Sequence, residues 1–274
     1  MANNDNSREV RFRLIESILL WEGEVSNERV RELLGIQVVQ ASRVLTEYVT
    51  HNPEQVLRET GRSPYKSSQN IKPKHSLGTI DEYIALSRHF DGADSHIVDV
   101  RYDLTTPTAN ILSKVSQAIR NRFGLNIHYL SMTSPTGSNR LIYPHSIVRA
   151  GRRWHIRAWC TERLAFRDFV IGRIKKAKIH EVISLHREQE DSEWNKKVAL
   201  IIEAHPKLNH DQISVLRTEF FNGAVSRRIM VRSCLMQYVV QDIRIAVDLN
   251  TELPPQYQLA VVNVEEIKKF LFNT

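Results

Sequence analysis

The 274-residue chain has little cysteine: Cys160 and Cys234 stand far apart and in no metal-like spacing. A disulfide scaffold or a Cys-based zinc site is therefore excluded as its organising principle, and a reducing cytoplasm fits. No apolar run approaches the roughly 20 residues of a membrane-spanning helix. The opening Met1-Ala2-Asn3-Asn4-Asp5-Asn6-Ser7 is polar and lacks an apolar signal core, so the expectation is a cytoplasmic protein with no membrane partner. Internal repeats and low-complexity tracts are missing. So are a Gly-rich nucleotide cradle, G-x-S-x-G and H-E-x-x-H. No catalytic residue, metal or cofactor is expected.

Acidic residues are scarce in one stretch. From Arg120 to His180 there are 13 lysines and arginines against two acids, Glu162 and Asp168, a balance of +11. The remainder holds 25 basic and 29 acidic residues, a balance of −4 within the net +7. A surplus confined to one segment suggests an anionic partner: phosphate, nucleotide or nucleic acid. A solvated arginine-rich surface is the plain alternative. Residues 191–274, with ten basic and ten acidic side chains, carry no such field.

The length implies two or three domains. Val10, Leu14, Ile15, Ile18 and Leu19 recur at helical spacing over residues 8–20. Ser26 reads as the N-cap of a second helix with Val30, Leu33 and Leu34 inward. Gly35 supplies a tight turn into a third helix, Val38 to Thr50, burying Ala41, Val44, Leu45 and Tyr48. Two short helices joined this way make a helix-turn-helix. Val56, Leu57 and the Gly61-Arg62-Ser63-Pro64-Tyr65-Lys66 stretch then read as a hairpin wing with a basic tip. A helix over 76–90, an extended Asp99–Leu104 and an amphipathic helix over Thr108–Phe123 follow.

From Asn126 the period becomes two. Strands are expected at Asn126–Ser131, Arg140–Val148, Arg153–Cys160, Asp168–Ile171 and Lys175–Val182, with turns at Pro135-Thr136-Gly137, Ala150-Gly151 and Gly172. Five short strands in so few residues suggest a small barrel. Beyond Glu193 the pattern is α+β: strand Lys197–Ile202, helix Asp211–Phe221, strand Arg227–Val231, helix Leu235–Asp242, strands Ile243–Leu249 and Tyr257–Val262, helix Val264–Phe272.

Two groups of residues carry the chemistry. On the third helix Gln37, Gln40, Ser42 and Arg43 are polar and outward; Gln pairs bidentately with adenine and Arg with guanine. Arg58, Arg62 and Lys66 on the wing would straddle backbone phosphates. In the barrel, alternation puts Arg153, His155, Arg157 and Trp159 on one side of their strand and Trp154, Ile156, Ala158 and Cys160 on the core side. Arg167, Asp168, Phe169 and Arg173 follow, with Tyr129, Ser131 and His145 upstream; Tyr129 and Ser131 share a strand parity.

Val25-Ser26-Asn27-Glu28-Arg29-Val30-Arg31-Glu32-Leu33-Leu34-Gly35-Ile36, Gln40-Ala41-Ser42-Arg43, Ile127-His128-Tyr129, Pro144-His145, Arg153-Trp154-His155-Ile156-Arg157-Ala158 and Phe166-Arg167-Asp168-Phe169-Val170-Ile171-Gly172-Arg173-Ile174 together resemble the bacterial WYL-domain transcriptional regulators, over almost the whole chain. The form Arg-Trp-His-Ile-Arg-Ala is most similar to regulators encoded beside anti-phage defence systems. The name motif Trp-Tyr-Leu reads Trp154-His155-Ile156 here. The resemblance implies an α+β protein: a winged helix-turn-helix at 1–75, a helical linker at 76–123, an Sm/SH3-like WYL β-barrel at 124–190 and a C-terminal dimerisation domain at 191–274. It also implies a basic pocket for a nucleic-acid fragment or nucleotide, placed by matching positions at Tyr129, Ser131, His145, Arg157, Arg167 and Arg173.

The leading expectation is a homodimeric, effector-responsive repressor that binds duplex operator DNA and regulates a phage-defence operon. A nuclease or phosphodiesterase would need clustered carboxylates or a histidine pair, and the basic segment offers two acids. A barrel protein binding RNA or other single strands without operator specificity is the alternative, supported by Trp159, Phe166 and Phe169 as stacking platforms.

Overall fold

Helix α1 (Ala2–Trp21) is the spine of the first hundred residues. The computed structural model describes residues 2–57, 63–87, 107–151 and 153–271, in two units, Met1–Val100 and Arg101–Thr274. Arg58, Arg62 and the Asp99–Leu104 segment lie outside the described residues.

In the first unit, α1 buries Leu14, Ile15, Ile18 and Leu19 against α2 (Asn27–Leu34) and α3 (Val38–His51). Ser26 caps α2 by accepting the Arg29 amide at 3.0 Å, which satisfies one of the amides a helix start leaves open. Gly35 closes it in the left-handed region, φ 61°, where a side chain would be strained. Ala41, Val44, Leu45 and Tyr48 are the buried stripe of α3, as their spacing predicts. Strand β1 (Glu24–Val25) joins β2 (Val56–Leu57) and β3 (Tyr65–Ser67) in a three-stranded antiparallel wing.

One buried acid organises the return of the chain. Glu16 is fully buried; its carboxylate accepts the amides of Lys74, His75 and Ser76 and the Ser76 hydroxyl, at 2.7–3.0 Å. The helix expected from residue 76 starts later: α4 spans Ile80–Ser87, where the Thr79 hydroxyl accepts the Glu82 amide. Glu82 in turn pairs with Arg13 and accepts the Leu77 amide.

In the second unit α5 (Ala109–Asn121) packs Ile111, Val115 and Ala118 on the inner face of a five-stranded sheet. Its strands are β4 (Phe123–Ser131), β5 (Ser134–Ala150), β6 (Arg153–Cys160), β7 (Ala165–Val170) and β8 (Ile174–Ile183). Their order is β7-β6-β5-β4-β8, antiparallel throughout. The sheet is open, not the closed barrel expected. It is nevertheless curled: β7 and β8 are opposite edges, about 19 Å apart in a flat sheet, yet only residues 171–173 join them, a reach of about 14 Å at most. The Tyr129 hydroxyl fills the corner, accepting the amide of Val170 at 3.2 Å. The turn expected at Pro135-Thr136-Gly137 lies inside β5; the chain reverses at Met132-Thr133, where Ser131 Oγ accepts the Ser134 amide.

The chain then forms α6 (Ser192–Asn195), β9 (Lys197–Ala204), α7 (His210–Phe221), β10 (Ser226–Arg232), α8 (Met236–Asp242), β11 (Leu259–Val261) and α9 (Val264–Ile267). A second sheet has the order β10-β9-β11. The strand expected at Ile243–Leu249 is absent: Glu252 accepts the amides of Val247 and Asp248, which holds a turn and leaves one bridge, Ala246 to Ala260. The last helix tightens to a 3-10 turn at Lys268–Phe270.

Removing the Glu16 carboxylate takes the acceptor from three backbone amides in a part-buried site. Glu16→Ala should therefore destabilise the first unit by about 3 kcal/mol or more, at roughly 1–3 kcal/mol for each stranded donor. Native-state hydrogen exchange of the α1 amides measures it; a loss under about 1 kcal/mol would mean the loop finds other partners.

Candidate nucleic-acid interface and effector site

The solvent side of α3 is built as a contact surface. Gln37 is its N-cap and makes no side-chain cap bond; it is exposed with Val38, Val39, Gln40, Ser42, Arg43 and Thr46. No carboxylate occurs on the helix before Glu47, so nothing in its first two turns repels a phosphate backbone. Asn27 fixes the angle between the helices by donating to the Val38 carbonyl at 3.1 Å and to Ser42 Oγ at 2.7 Å. Ser42 thus works partly within the protein, with its own hydroxyl hydrogen still to donate. Arg29, bidentate to Glu22, braces the turn before α2. Lys66 is exposed on β3, opposite Glu24.

Val38 and Val39 were not among the expected contacts, yet they are 50% and 80% exposed. The available signal was two β-branched residues outside the buried stripe at the start of the helix. Flanked by Gln37 and Gln40, they offer apolar contact suited to thymine methyl groups.

The six expected pocket residues are not brought together. Across β6 and β7, Arg157 faces Asp168 while Ala158 faces Arg167. Directly opposed residues share a face and neighbours alternate, so Arg157 and Arg167 lie on opposite faces of the sheet. Tyr129 is buried on the inner face, edge-on to Phe169 and under Arg140. A register shift between Tyr129 and Ser131 breaks their shared parity, and Ser131 caps a turn. Arg167 is exposed, and Arg173, in the turn between β7 and β8, is half-exposed.

Arg157 and His145 belong to a buried ionic cluster. Arg157 is 3% exposed and donates to Asp191 through Nε at 2.6 Å and a terminal nitrogen at 3.0 Å. It also reaches Glu193 at 2.8 Å and Asp168 at 3.3 Å. His145 sits at the β5 bulge between Pro144 and Ser146; its Nε2 lies 3.2 Å from Asp191 and its Nδ1 2.9 Å from the Ser146 hydroxyl. Asp191 also caps α6 by accepting the Trp194 amide. Burial would raise the Asp191 carboxyl, but hydrogen bonds from His145 and Arg157 hold it well below the usual carboxylate range. Burial raises Asp168, with Arg157 opposing, and Tyr238 donates to it at 3.2 Å. The strand face expected to bear open arginine and histidine is therefore covered from residue 186 onward: His186 stacks on Trp159 at 3.8 Å, and Tyr238 lies 4.8 Å from His155.

Truncating Arg157 would leave Asp168 buried without a cation and Asp191 with His145 as its one remaining side-chain partner. Arg157→Ala should cost about 3–5 kcal/mol, read as a lower thermal midpoint of the full chain; a fully stable variant would restore Arg157 to an open pocket. His155 gives a pH signature. Burial and the charges of Arg153 and Arg173 lower its pKa from 6.5 to about 4. The unfolded chain therefore binds more protons in this window, and stability falls as pH drops from 6.5 towards 4. His155→Phe should flatten that decline in chemical unfolding at stepped pH; an unchanged slope would assign it to other groups.

Three family models match the chain: the BrxR transcriptional regulator winged helix-turn-helix domain over residues 7–89, the WYL domain over 110–179, and the BrxR transcriptional regulator C-terminal dimerization domain over 197–267. The DNA-binding transcriptional repressors CapW of Pseudomonas aeruginosa and Escherichia coli are each 28% identical over 275 residues, spanning 96% of this chain and 92% of theirs. CapW of Stenotrophomonas maltophilia is 26% identical, spanning 95% and 91%.

Proposed function

The chain belongs to the BrxR-type WYL-domain transcriptional regulators, and from that premise we propose that it is a DNA-binding transcriptional repressor acting as a homodimer. Its operator affinity responds to a nucleic-acid or nucleotide effector held by the WYL domain, and the operon it regulates serves phage defence. The domain limits proposed are those of the sequence: 1–75 for operator binding, 76–123 as linker, 124–190 for the effector and 191–274 for dimerisation. The observation that carries the DNA reading is the solvent face of α3, with Gln37, Gln40 and Arg43 outward and no carboxylate before Glu47, on a helix locked to α2 by Asn27. Arg43 and the glutamines read base edges in the major groove, and Lys66, with Arg58 and Arg62, holds phosphate. A two-fold dimer doubles these contacts over two half-sites. In the effector role, Arg167 and Arg173 offer guanidinium groups to phosphate, whereas Arg157 and His145 hold the site's framework through Asp191. No described helix is long and apolar enough to cross a membrane.

Binding to duplexes selected from a random pool tests the reading. Arg43→Ala should lose about 1–3 kcal/mol of specific binding, and affinity matching the unmodified chain would remove α3 from the recognition role. Val39→Ala should weaken binding to the thymine operator and have no effect where uracil replaces the contacted thymine, because the methyl partner is already gone. Equal losses on both operators would refute the methyl contact. Arg167→Ala/Arg173→Ala should bind operator but no longer respond to added single strands or cyclic nucleotides.

A further inference from the structure

A cavity of about 780 Å³ lies where α5 meets the β4–β8 edge of the sheet. Lys114, Lys175, Lys176 and Lys178 line it with Asn126, His128 and Asn139, and the lining contains no carboxylate. The register groups Asn126, His128, Asn139, Lys176 and Lys178 of this lining on the face that alternates with Leu125, Ile127 and Ala177, away from the core that α5 covers. His128 stands opposite Lys176 on one side and Asn139 on the other, and Asn126 stands opposite Lys178. Directly opposed residues share a face, so one row carries Lys176, His128 and Asn139, and the next carries Lys178 and Asn126. Lys176 and Lys178 are two residues apart on β8, about 6.7 Å, a step close to that between successive phosphates of an extended strand. Lys114 is steered to the rim by its bond to the Ala177 carbonyl at 2.9 Å. Among the described residues no ion pair engages Lys175, Lys176 or Lys178.

We propose that this cavity binds the phosphodiester backbone of a single-stranded nucleic acid, as a site separate from Arg157 and His145. The inference takes its ligand class from the effector reading above and rests on it to that extent. Lysines here act as mobile point charges suited to a sequence-indifferent backbone, and the amides of Asn126 and Asn139 can pair with base edges. Edge-strand lysines also guard a sheet against aggregation. That role accounts for β8 alone and leaves unexplained the acid-free lining contributed by α5, β4 and β5.

Anisotropy of a fluorescein-labelled oligothymidylate of roughly 12 nucleotides, within the site size such grooves take, tests the proposal on the full chain. Lys176→Gln/Lys178→Gln should weaken binding on the order of tenfold near 0.1 M salt and cut the salt slope by about 1.4, at about 0.7 per lost phosphate contact. Lys176→Arg/Lys178→Arg should bind as the unmodified chain does. Because the glutamine pair could expose the sheet edge, Asn126→Asp gives a second reading: it keeps every lysine, adds a carboxylate to the lining and should also weaken binding. Normal affinity in Asn126→Asp, or in a monodisperse glutamine variant, overturns the proposal. If that affinity falls only in Arg167→Ala/Arg173→Ala, the effector reading survives and the cavity does not. Loss of operator duplex with oligothymidylate binding intact would assign the lysines to operator phosphates and also overturn it. An unmodified chain that binds no single strand, while operator release still follows nucleotides, refutes the cavity and spares the effector reading.

Discussion

The structure of the second unit depends on one buried guanidinium. β6 carries Arg157 on the face away from α5, and a charge taken out of water there must be met by carboxylates in good geometry or the fold loses several kcal/mol. β7 supplies only Asp168, at its longest contact. Asp191, from the segment after β8, provides the planar, bidentate match for the edge of the guanidinium formed by Nε and Nη2. The demand of Arg157 therefore fixes where the chain beyond the sheet must lie. Asp191 then starts α6, Trp194 follows against His145, and Ser233 and Arg232 tie β10 to the same turn through the carbonyls of Glu193 and Trp194. A hydrophobic replacement of the whole cluster could be as stable. What the ionic pairing adds is selectivity, because few packings of this segment satisfy all four charged groups.

Much of the first unit was legible because its signals are local. The Ser26 cap, the Gly35 turn and the four-residue stripe of α3 each follow from residues within one or two turns, and each stands where the spacing puts it. The start of α4 was not legible. It follows a loop held by Glu16, some sixty residues away, whose carboxylate accepts the amides of Lys74, His75 and Ser76. The missing strand after α8 has the same cause: Glu252 takes the amides of Val247 and Asp248, and a period-two apolar pattern cannot show that competition.

In the sheet, strand positions were legible and the site was not. Alternation correctly put Arg157 and His155 opposite Ile156 and Ala158, but alternation gives a face, not what covers it. The face away from the core was read as open because the sequence holds no sign that residues 186–194 and Tyr238 return to it. Two register shifts add to the error, since a bulge re-aims a side chain and breaks parity on either side. Those at Tyr129/Ser131 and Pro144/Ser146 removed the argument for grouping Tyr129, Ser131 and His145.

The charge count shows why composition could locate the basic segment but not its working surface. Some of its arginines are spent on the protein: Arg157 on carboxylates, Arg140 on Ser138 and the Tyr129 ring, Arg149 over Trp154, while Arg120, Arg122, Arg153, Arg163 and Arg167 stay exposed. Its lysines cluster on β8 and line the cavity beside α5. The division follows from side-chain chemistry. A guanidinium is weakly hydrated and planar, so it tolerates burial when a carboxylate or an aromatic face matches it; an ammonium is strongly hydrated and pays more to leave water. An arginine in such a segment can accordingly be drawn inward where a match exists, as Arg157 is, whereas the lysines stay at the surface. The field that an anionic partner meets on this unit thus combines the β8 lysines with exposed arginines such as Arg120, Arg153, Arg163 and Arg167.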